Sequence, residues 1–238
     1  MTVKDPRRIG GMFDSISGRY DFLNRLLSAG QDRRWRRKAV ERLGLVGGEV
    51  LLDLCTGTGD LALEAVSSRA APARVLGVDI APAMLAVARA KAEAAARRGR
   101  PPIWLALADV SRLPVPDASV DLVSIAFGIR NVSDTSTAVR EIARVLRPGG
   151  RVVVLEFGMP RTPCLGRAYG WYFRRVLPLV GRAVSGHSFA YAYLPASVAA
   201  FPAGDAFAAI LREAGLSEVR FDRLTLGVVY LYMARRPR

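Results

Sequence analysis

The sequence has few of the residues that most often mark a metal or disulfide site. Of its 238 residues only two are cysteines, Cys55 and Cys164, and only one is a histidine, His187. Two distant cysteines make no disulfide framework and a lone histidine excludes a cluster of imidazole ligands, so no metal centre is expected. Such sparing use of cysteine fits a reducing cytoplasm. No uninterrupted apolar stretch reaches the ~18–20 residues of a membrane-spanning helix. The start, MTVKDPRRIGGMFDS, lacks the apolar run of a signal peptide. A cytoplasmic protein is expected, soluble or held peripherally at the inner face of the cell membrane.

Lysine is scarce too. Lys4, Lys38 and Lys91 are the three present, yet the formal net charge is +14, carried by arginines scattered from Arg7 to Arg238. An excess of that size invites a nucleic-acid partner, because basic groups release phosphate counterions. The scatter argues instead for compositional bias and makes an anionic lipid surface at least as good a partner, each basic group near it contributing roughly 1 kcal/mol. Nucleic acid is therefore not expected.

What is present is a globular core: 51% of residues are hydrophobic, and the length suits one α/β domain, residues 1–238, with no room for a second. Short apolar runs at Glu49–Leu54, Arg74–Asp79, Ile103–Ala108, Val120–Phe127 and Arg151–Phe157 alternate with helical patterns at Asp60–Ser68, Pro82–Arg97 and Thr135–Leu146. That alternation predicts βαβ units and a parallel sheet. A helix at Ala206–Ala214 and two late runs, Glu218–Arg223 and Gly227–Ala234, complete a Rossmann-like, seven-stranded, mostly parallel sheet with a C-terminal antiparallel hairpin. A helical leader, 12–43, precedes the sheet. A long segment, 158–204, interrupts it and carries Tyr169, Trp171, Tyr172, Phe173, Phe189, Tyr191 and Tyr193 among Arg167, Arg174, Arg175 and Arg182. Two ordinary helices or a lid whose apolar face meets lipid both fit that composition.

The strongest local signal is Leu51-Leu52-Asp53-Leu54-Cys55-Thr56-Gly57-Thr58-Gly59-Asp60, a strand running into a glycine turn and a helix. Gly57 and Gly59 allow close backbone approach to a ligand at a helix N-terminus. Alone the loop also satisfies the dinucleotide pattern. Its acidic neighbours separate the cofactors. Asp79, ending the second strand beside Ile80, is placed to accept both hydroxyls of a ribose. Asp53, inside the first strand, suits a cofactor bearing an amino group and a sulfonium rather than a pyrophosphate. Asp109, followed by Val110, adds an acid at adenine height. Three carboxylates at successive strand ends favour S-adenosyl-L-methionine over a nicotinamide dinucleotide.

With these residues the chain resembles the ubiquinone and menaquinone biosynthesis C-methyltransferases over about residues 13–232. The narrowest matches are Tyr20-Asp21-Phe22-Leu23-Asn24, with Ser28, Gly30 and Trp35, and Phe127-Gly128-Ile129-Arg130-Asn131-Val132. Arg144-Val145-Leu146-Arg147-Pro148-Gly149-Gly150, Tyr193-Leu194-Pro195-Ala196-Ser197 and Gly227-Val228-Val229 add support. The resemblance implies methyl transfer from S-adenosylmethionine to a ring carbon of a demethylmenaquinol or of a polyprenyl methoxy-benzoquinol, with cofactor contacts at Thr58, Asp79, Asp109, Val110 and Ala126. Many members have His at the place of Asp32, Ser at that of Ala126, Gly or Ala at that of Cys55 and an acid at that of Phe189. Ring attack through carbon needs a partly ionised hydroxyl. Arg130 is expected to favour that ion or, in the alternative, to form a structural ion pair with a sheet-end acid; Asn131 is expected to fix the second oxygen, and Tyr20 to wall the site or relay a proton. Expected partners are the polyprenylated quinol and an anionic membrane surface, with a homodimer left open. An RNA methyltransferase is the rival, but the Asn/Asp-Pro-Pro-aromatic corner of base-nitrogen chemistry is replaced here by Ala126-Phe127-Gly128.

Overall fold

The computed structural model describes residues 5–160 and 188–238. Its helical leader starts earlier than periodicity suggests. Helix α1 runs from Pro6 to Leu27, with Asp5 as N-cap accepting the Arg7 amide at 2.9 Å. An acidic cap followed by proline at the first helical position is a strong start. It outweighs the Gly10-Gly11 pair, each glycine costing about 1 kcal/mol inside a helix. A turn at Ser28–Gly30 leads into α2 (Gln31–Leu43).

Strands and helices then alternate as expected: β1 (Val50–Leu54), α3 (Asp60–Val66), β2 (Arg74–Asp79), α4 (Pro82–Ala96), β3 (Ile103–Leu107), β4 (Val120–Ala126), α5 (Thr135–Val145) and β5 (Leu146–Phe157). After the undescribed stretch come α6 (Ser188–Ala200), α7 (Asp205–Glu213), β6 (Ser217–Leu224) and β7 (Val229–Arg235). The seven strands form one sheet in the order β3-β2-β1-β4-β5-β7-β6, parallel through β5. Strand β7 runs antiparallel between β5 and β6. The fold is the Rossmann-like arrangement read from the alternation. One boundary moves: β5 begins at Leu146 rather than Arg151, because the Pro148-Gly149-Gly150 turn that stops α5 is absorbed as an irregularity between the pairs Val120–Leu146 and Leu122–Arg151.

Both sheet faces are covered, which is why the central strands are apolar throughout rather than alternating. On one face Trp35, Val40 and Leu43 of α2 and Leu61 and Val66 of α3 pack on Leu51, Leu155 and Leu231. On the other, Ile142 of α5 and Phe207 and Leu211 of α7 pack on Leu52, Ile125 and Tyr232. The chain reverses its direction of winding between β1 and β4, so the carboxyl ends of those strands open a crevice. Helix α1 lies across it, held to the start of α4 by the Ala83 amide donating to Asp14 at 2.8 Å. Of the long segment, α6 accounts for Phe189, Tyr191 and Tyr193. Tyr169, Trp171, Tyr172, Phe173, Arg167, Arg174, Arg175, Arg182, Cys164 and His187 lie outside the described residues.

Candidate active site

Three cavities meet at the carboxyl ends of β1 and β4, and Tyr20 and Phe127 border all three. The first, about 650 Å³, is walled by Gly57, Asp79, Ile80, Asp109, Val110 and Ala126 and roofed by Ile9 and Phe13 of α1. Six of the residues read from the sequence as cofactor contacts therefore share one space.

The loop that shapes it is built by left-handed backbone at Cys55 (φ 50), Gly57 (φ 55) and Gly59 (φ 80). That conformation costs a non-glycine residue roughly 1–2 kcal/mol, and Cys55 is held in it by its neighbour. A Cβ on Gly128 would lie 2.2 Å from Cys55 Cβ, so the cysteine occupies the space that glycine leaves. Burial and nearby carboxylates push the Cys55 thiol well above its ordinary range, which makes it a packing group rather than a nucleophile. Phe127, also left-handed at φ 58, stacks on Phe157 at 4.4 Å.

Asp79 accepts the Gly57 amide at 2.8 Å and the Ala81 amide at 2.9 Å, one through each oxygen. It thereby fixes the loop while its remaining lone pairs stay available to hydroxyl donors. Burial raises its pKa, and the backbone amides oppose that shift. Asp109 Oδ1 accepts from both the amide and the hydroxyl of Ser111, at 2.8 and 2.6 Å.

Asp53 lies elsewhere. It borders a smaller cavity of about 400 Å³ with Arg36, Thr58, Asp60 and Asn24. Its two oxygens accept the hydroxyls of Thr56 and Ser124, each at 2.6 Å, so its first task is to brace the loop against β4. Desolvation moves its pKa from 3.8 up to about 6. Gly59 lines none of these three cavities; it caps α3 and lies close against α4, where a Cβ would stand 3.3 Å from that of Ala88.

The second cavity, about 1300 Å³, is largely apolar: Met12, Ile16, Leu23 and Leu27 of α1 face Trp35, Phe127, Phe157 and Val228. Arg130 borders it from the short 3₁₀ turn Ile129–Asn131. Its Nη1 donates to Glu156 at 2.7 Å and to the Phe127 carbonyl at 2.5 Å, and its guanidinium sits 5.4 Å from the Phe157 ring. Arg130 Nε is buried and has no hydrogen-bond partner. The arginine is thus both an ion-pair partner and a donor still to be satisfied. Asn131 lines the first cavity and not the second, and its buried Oδ1 is likewise unpartnered. Burial raises the Tyr20 phenol, partly offset by Asn24 and by the charge of Arg130.

A charged chain closes the site from above. Thr58 donates to Asp21 of α1 at 2.6 Å; Lys91 of α4 bridges Asp21 and Asp60 at 2.5 and 2.7 Å. Arg36 of α2 bridges Asp60 and the buried Asp32 at 3.1 and 2.5 Å. Sequence reading marks Asp32 and Cys55 as departures from the family pattern but gives no role to Arg36, Lys91 or Glu156, whose roles arise from contacts between distant segments. Glu156 alone had a local sign, a lone acid in an apolar strand.

The donor set fits S-adenosylmethionine. Carboxylates at the ends of β2 and β3 and an apolar wall suit its nucleoside, and the small cavity, with charges of both signs, suits its zwitterionic end. A pyrophosphate in the first cavity would meet Asp79 and Asp109 with no compensating cation among the described residues of its wall.

The sequence profile of the ubiE/COQ5 methyltransferase family matches residues 1–236. The chain belongs to that family. It is 51% identical over 226 residues to a demethylmenaquinone methyltransferase of Thermus thermophilus, covering 95% of this chain and 100% of that one. A demethylmenaquinone methyltransferase of Deinococcus radiodurans is 44% identical, over 93% and 90% of the two chains. A ubiquinone/menaquinone biosynthesis C-methyltransferase of a Geobacter species is 44% identical over 96% of each. Among solved structures, a Haloferax volcanii putative methyltransferase complex with the activator Trm112 superposes with TM-score 0.68 at 19% identity, covering 95% and 98%. The [4+2]-cyclase SpnF superposes with TM-score 0.62 at 21%, covering 96% and 95%. These likenesses are of fold alone; the second belongs to a cyclase. Membership in the family makes this methyltransferase a user of S-adenosylmethionine.

Proposed function

We propose that this methyltransferase moves the methyl group of S-adenosylmethionine to a ring carbon of a polyprenylated quinol, with demethylmenaquinol as acceptor. The observation that carries the reading is the pairing of spaces: a polar-ended crevice and a larger apolar cavity share the walls formed by Tyr20 and Phe127, with Arg130 beside the junction. The names of the most similar relatives support the same acceptor.

When bound, S-adenosylmethionine supplies an electrophilic methyl group. Gly57, Asp79, Asp109, Val110 and Ala126 hold its nucleoside, and Asp53, Thr58 and Arg36 surround the amino-acid end. On the acceptor side a quinol hydroxyl has a pKa near the ~10 of tyrosine, and a neighbouring cation lowers such a value by roughly 1–3 units. Arg130 is always charged, and its unsatisfied Nε supplies a hydrogen bond that strengthens as the oxygen gains charge. Glu156 holds the guanidinium in place. Tyr20, protonated because burial raises its pKa, walls the reacting centre. Asn131 serves the cofactor side, on whose wall it lies, rather than the second quinol oxygen. Holding the ring carbon in line with the methyl is worth up to ~7–11 kcal/mol of the barrier.

Incubation with methyl-labelled S-adenosylmethionine and demethylmenaquinol, demethylated benzoquinol or bulk RNA tests the assignment. Label is expected in the naphthoquinol first. A benzoquinol is the second reading, favoured by relatives named for both pathways; label in RNA alone would sink both.

A further inference from the structure

The mouth of the apolar cavity opens between two turns. Leu27, Ser28, Ala29 and Gln31 border it on the α1–α2 side, and Thr225 and Val228 on the side of the turn joining β6 to β7. Trp35 Nε1 donates to Thr225 Oγ1 at 2.8 Å and ties the two rims together. Around this mouth the surface departs from what folding requires. Phe22 and Leu26, four residues apart and so on one face of α1, stand 59% and 49% exposed. Across the opening Leu226 is 77% exposed and held at φ 58, a region a leucine rarely adopts. Neither its exposure nor its backbone stabilises the fold. Arg25 of α1 and Arg33 and Arg34 of α2 are exposed on the same two helices. Arg33 and Arg34 lie in the first turn of α2, where the helix dipole disfavours cations.

We propose that this rim is a docking surface for an anionic bilayer. Phe22, Leu26 and Leu226 enter the boundary between head groups and acyl chains, while Arg25, Arg33 and Arg34 meet the anionic head groups. Docked so, the cavity mouth faces the lipid, and an acceptor with a long apolar tail passes to Arg130 without crossing water. The purpose of the surface rests on the proposed acceptor; its existence is measured without one.

The experiment is sedimentation of the full chain with vesicles of phosphatidylcholine alone and of phosphatidylcholine mixed with phosphatidylglycerol, at low and high salt. Binding is expected with the mixed vesicles only and is expected to weaken as salt rises. Arg25→Gln, Arg33→Gln and Arg34→Gln together should weaken it on the order of a hundredfold, roughly fivefold per arginine. Phe22→Ser, Leu26→Ser and Leu226→Ser together should weaken it at least about tenfold. Both variants should keep the S-adenosylmethionine affinity of the unaltered chain, which shows that they fold. Equal binding to both vesicle types, or variants that bind as the unaltered chain does, overturns the surface. So does light scattering that finds these residues holding two copies of the chain together instead. Vesicle binding without methyl transfer to a short-tailed, soluble demethylated naphthoquinol would leave the surface standing and overturn the acceptor.

Discussion

The two halves of the site are made of different material. The cofactor crevice is assembled from strand ends and backbone: Asp79 grips the amides of Gly57 and Ala81, and Asp53 braces Thr56 and Ser124. The acceptor cavity is assembled from helix sides, with Met12, Ile16, Leu23 and Leu27 of α1 facing Trp35 of α2, and two buried ion pairs, Arg130 with Glu156 and Arg36 with Asp32. The first half holds its shape through hydrogen bonds that the sheet dictates, as a ligand of fixed structure requires. The second holds its shape through apolar packing, which tolerates a long and variable tail and confines charge to those two pairs. Contacts for the donor are therefore spread over many small groups, whereas on the acceptor side Arg130 stands out as the arginine with an unpartnered Nε, and the proposed reaction rests on it.

The sharpest way to break this contrast is Arg130→Met. Turnover is expected to fall at least a hundredfold in a label-transfer assay while calorimetric affinity for S-adenosylmethionine stays within about threefold. The same change leaves Glu156 buried without its partner and should destabilise the fold by about 3–5 kcal/mol. Arg130→Met with Glu156→Leu separates the effects: stability should return and turnover should not. Recovery of both would move the chemistry to another residue.

That arginine also shows what the sequence made legible. The alternation of apolar runs and helices, and the carboxylates at successive strand ends, are local patterns, so the seven strands, their mostly parallel sheet with its antiparallel hairpin and most of the cofactor wall are legible in the sequence, whereas the strand order is not. Arg130 was visible through its motif. An ion pair with a sheet-end acid is among the readings its place allows; that the acid is Glu156 follows only from β4 and β5 lying side by side. Helix α1 begins at Pro6 rather than at residue 12, because the Asp5-Pro6 cap outweighs the Gly10-Gly11 pair. Arg36, Lys91 and Cys55 gain their roles only where α2, α4 and the glycine loop converge, which no spacing along the chain reports. Asn131, expected to fix the second acceptor oxygen, lines the first cavity instead, because successive residues in a 3₁₀ turn point apart.

On the cofactor side Asp53 offers the next largest effect. Its pKa is raised on folding from 3.8 to about 6, so between those values the native state binds more protons than the unfolded chain. Stability should then fall as pH rises through this window, by up to ~3 kcal/mol at 1.36 kcal/mol per unit, and level off above it. Asp53→Asn should flatten that segment of the thermal-melt profile and melt no lower than the unaltered chain at pH 7; an unchanged slope would refute the assignment. Asp79→Ala should act on binding instead, weakening S-adenosylmethionine about ten- to thirtyfold by calorimetry, at ~1.4 kcal/mol per tenfold. Unchanged affinity would remove Asp79 from the ribose.

The smallest expected effect tests whether the halves are independent at all. Helix α1 roofs both cavities and is held to the glycine loop and to α4 through Asp21, which takes Thr58 on one oxygen and Lys91 on the other. Lys91 also meets Asp60, so Lys91→Met leaves two half-buried carboxylates facing each other. An ion pair this exposed is worth about 1 kcal/mol at most, and the melting temperature should drop by roughly 2–4 °C. Its distinguishing consequence lies in binding. If α1 opens as a unit, affinity for S-adenosylmethionine and for the quinol should weaken together, each about two- to fivefold, and amide exchange should quicken along α1 while β1 and β4 stay protected. The Arg130 and Asp79 substitutions, by contrast, each act on one ligand. A loss confined to one ligand after Lys91→Met would mean that the crevice and the cavity open separately, and that the charged chain above them fastens only one.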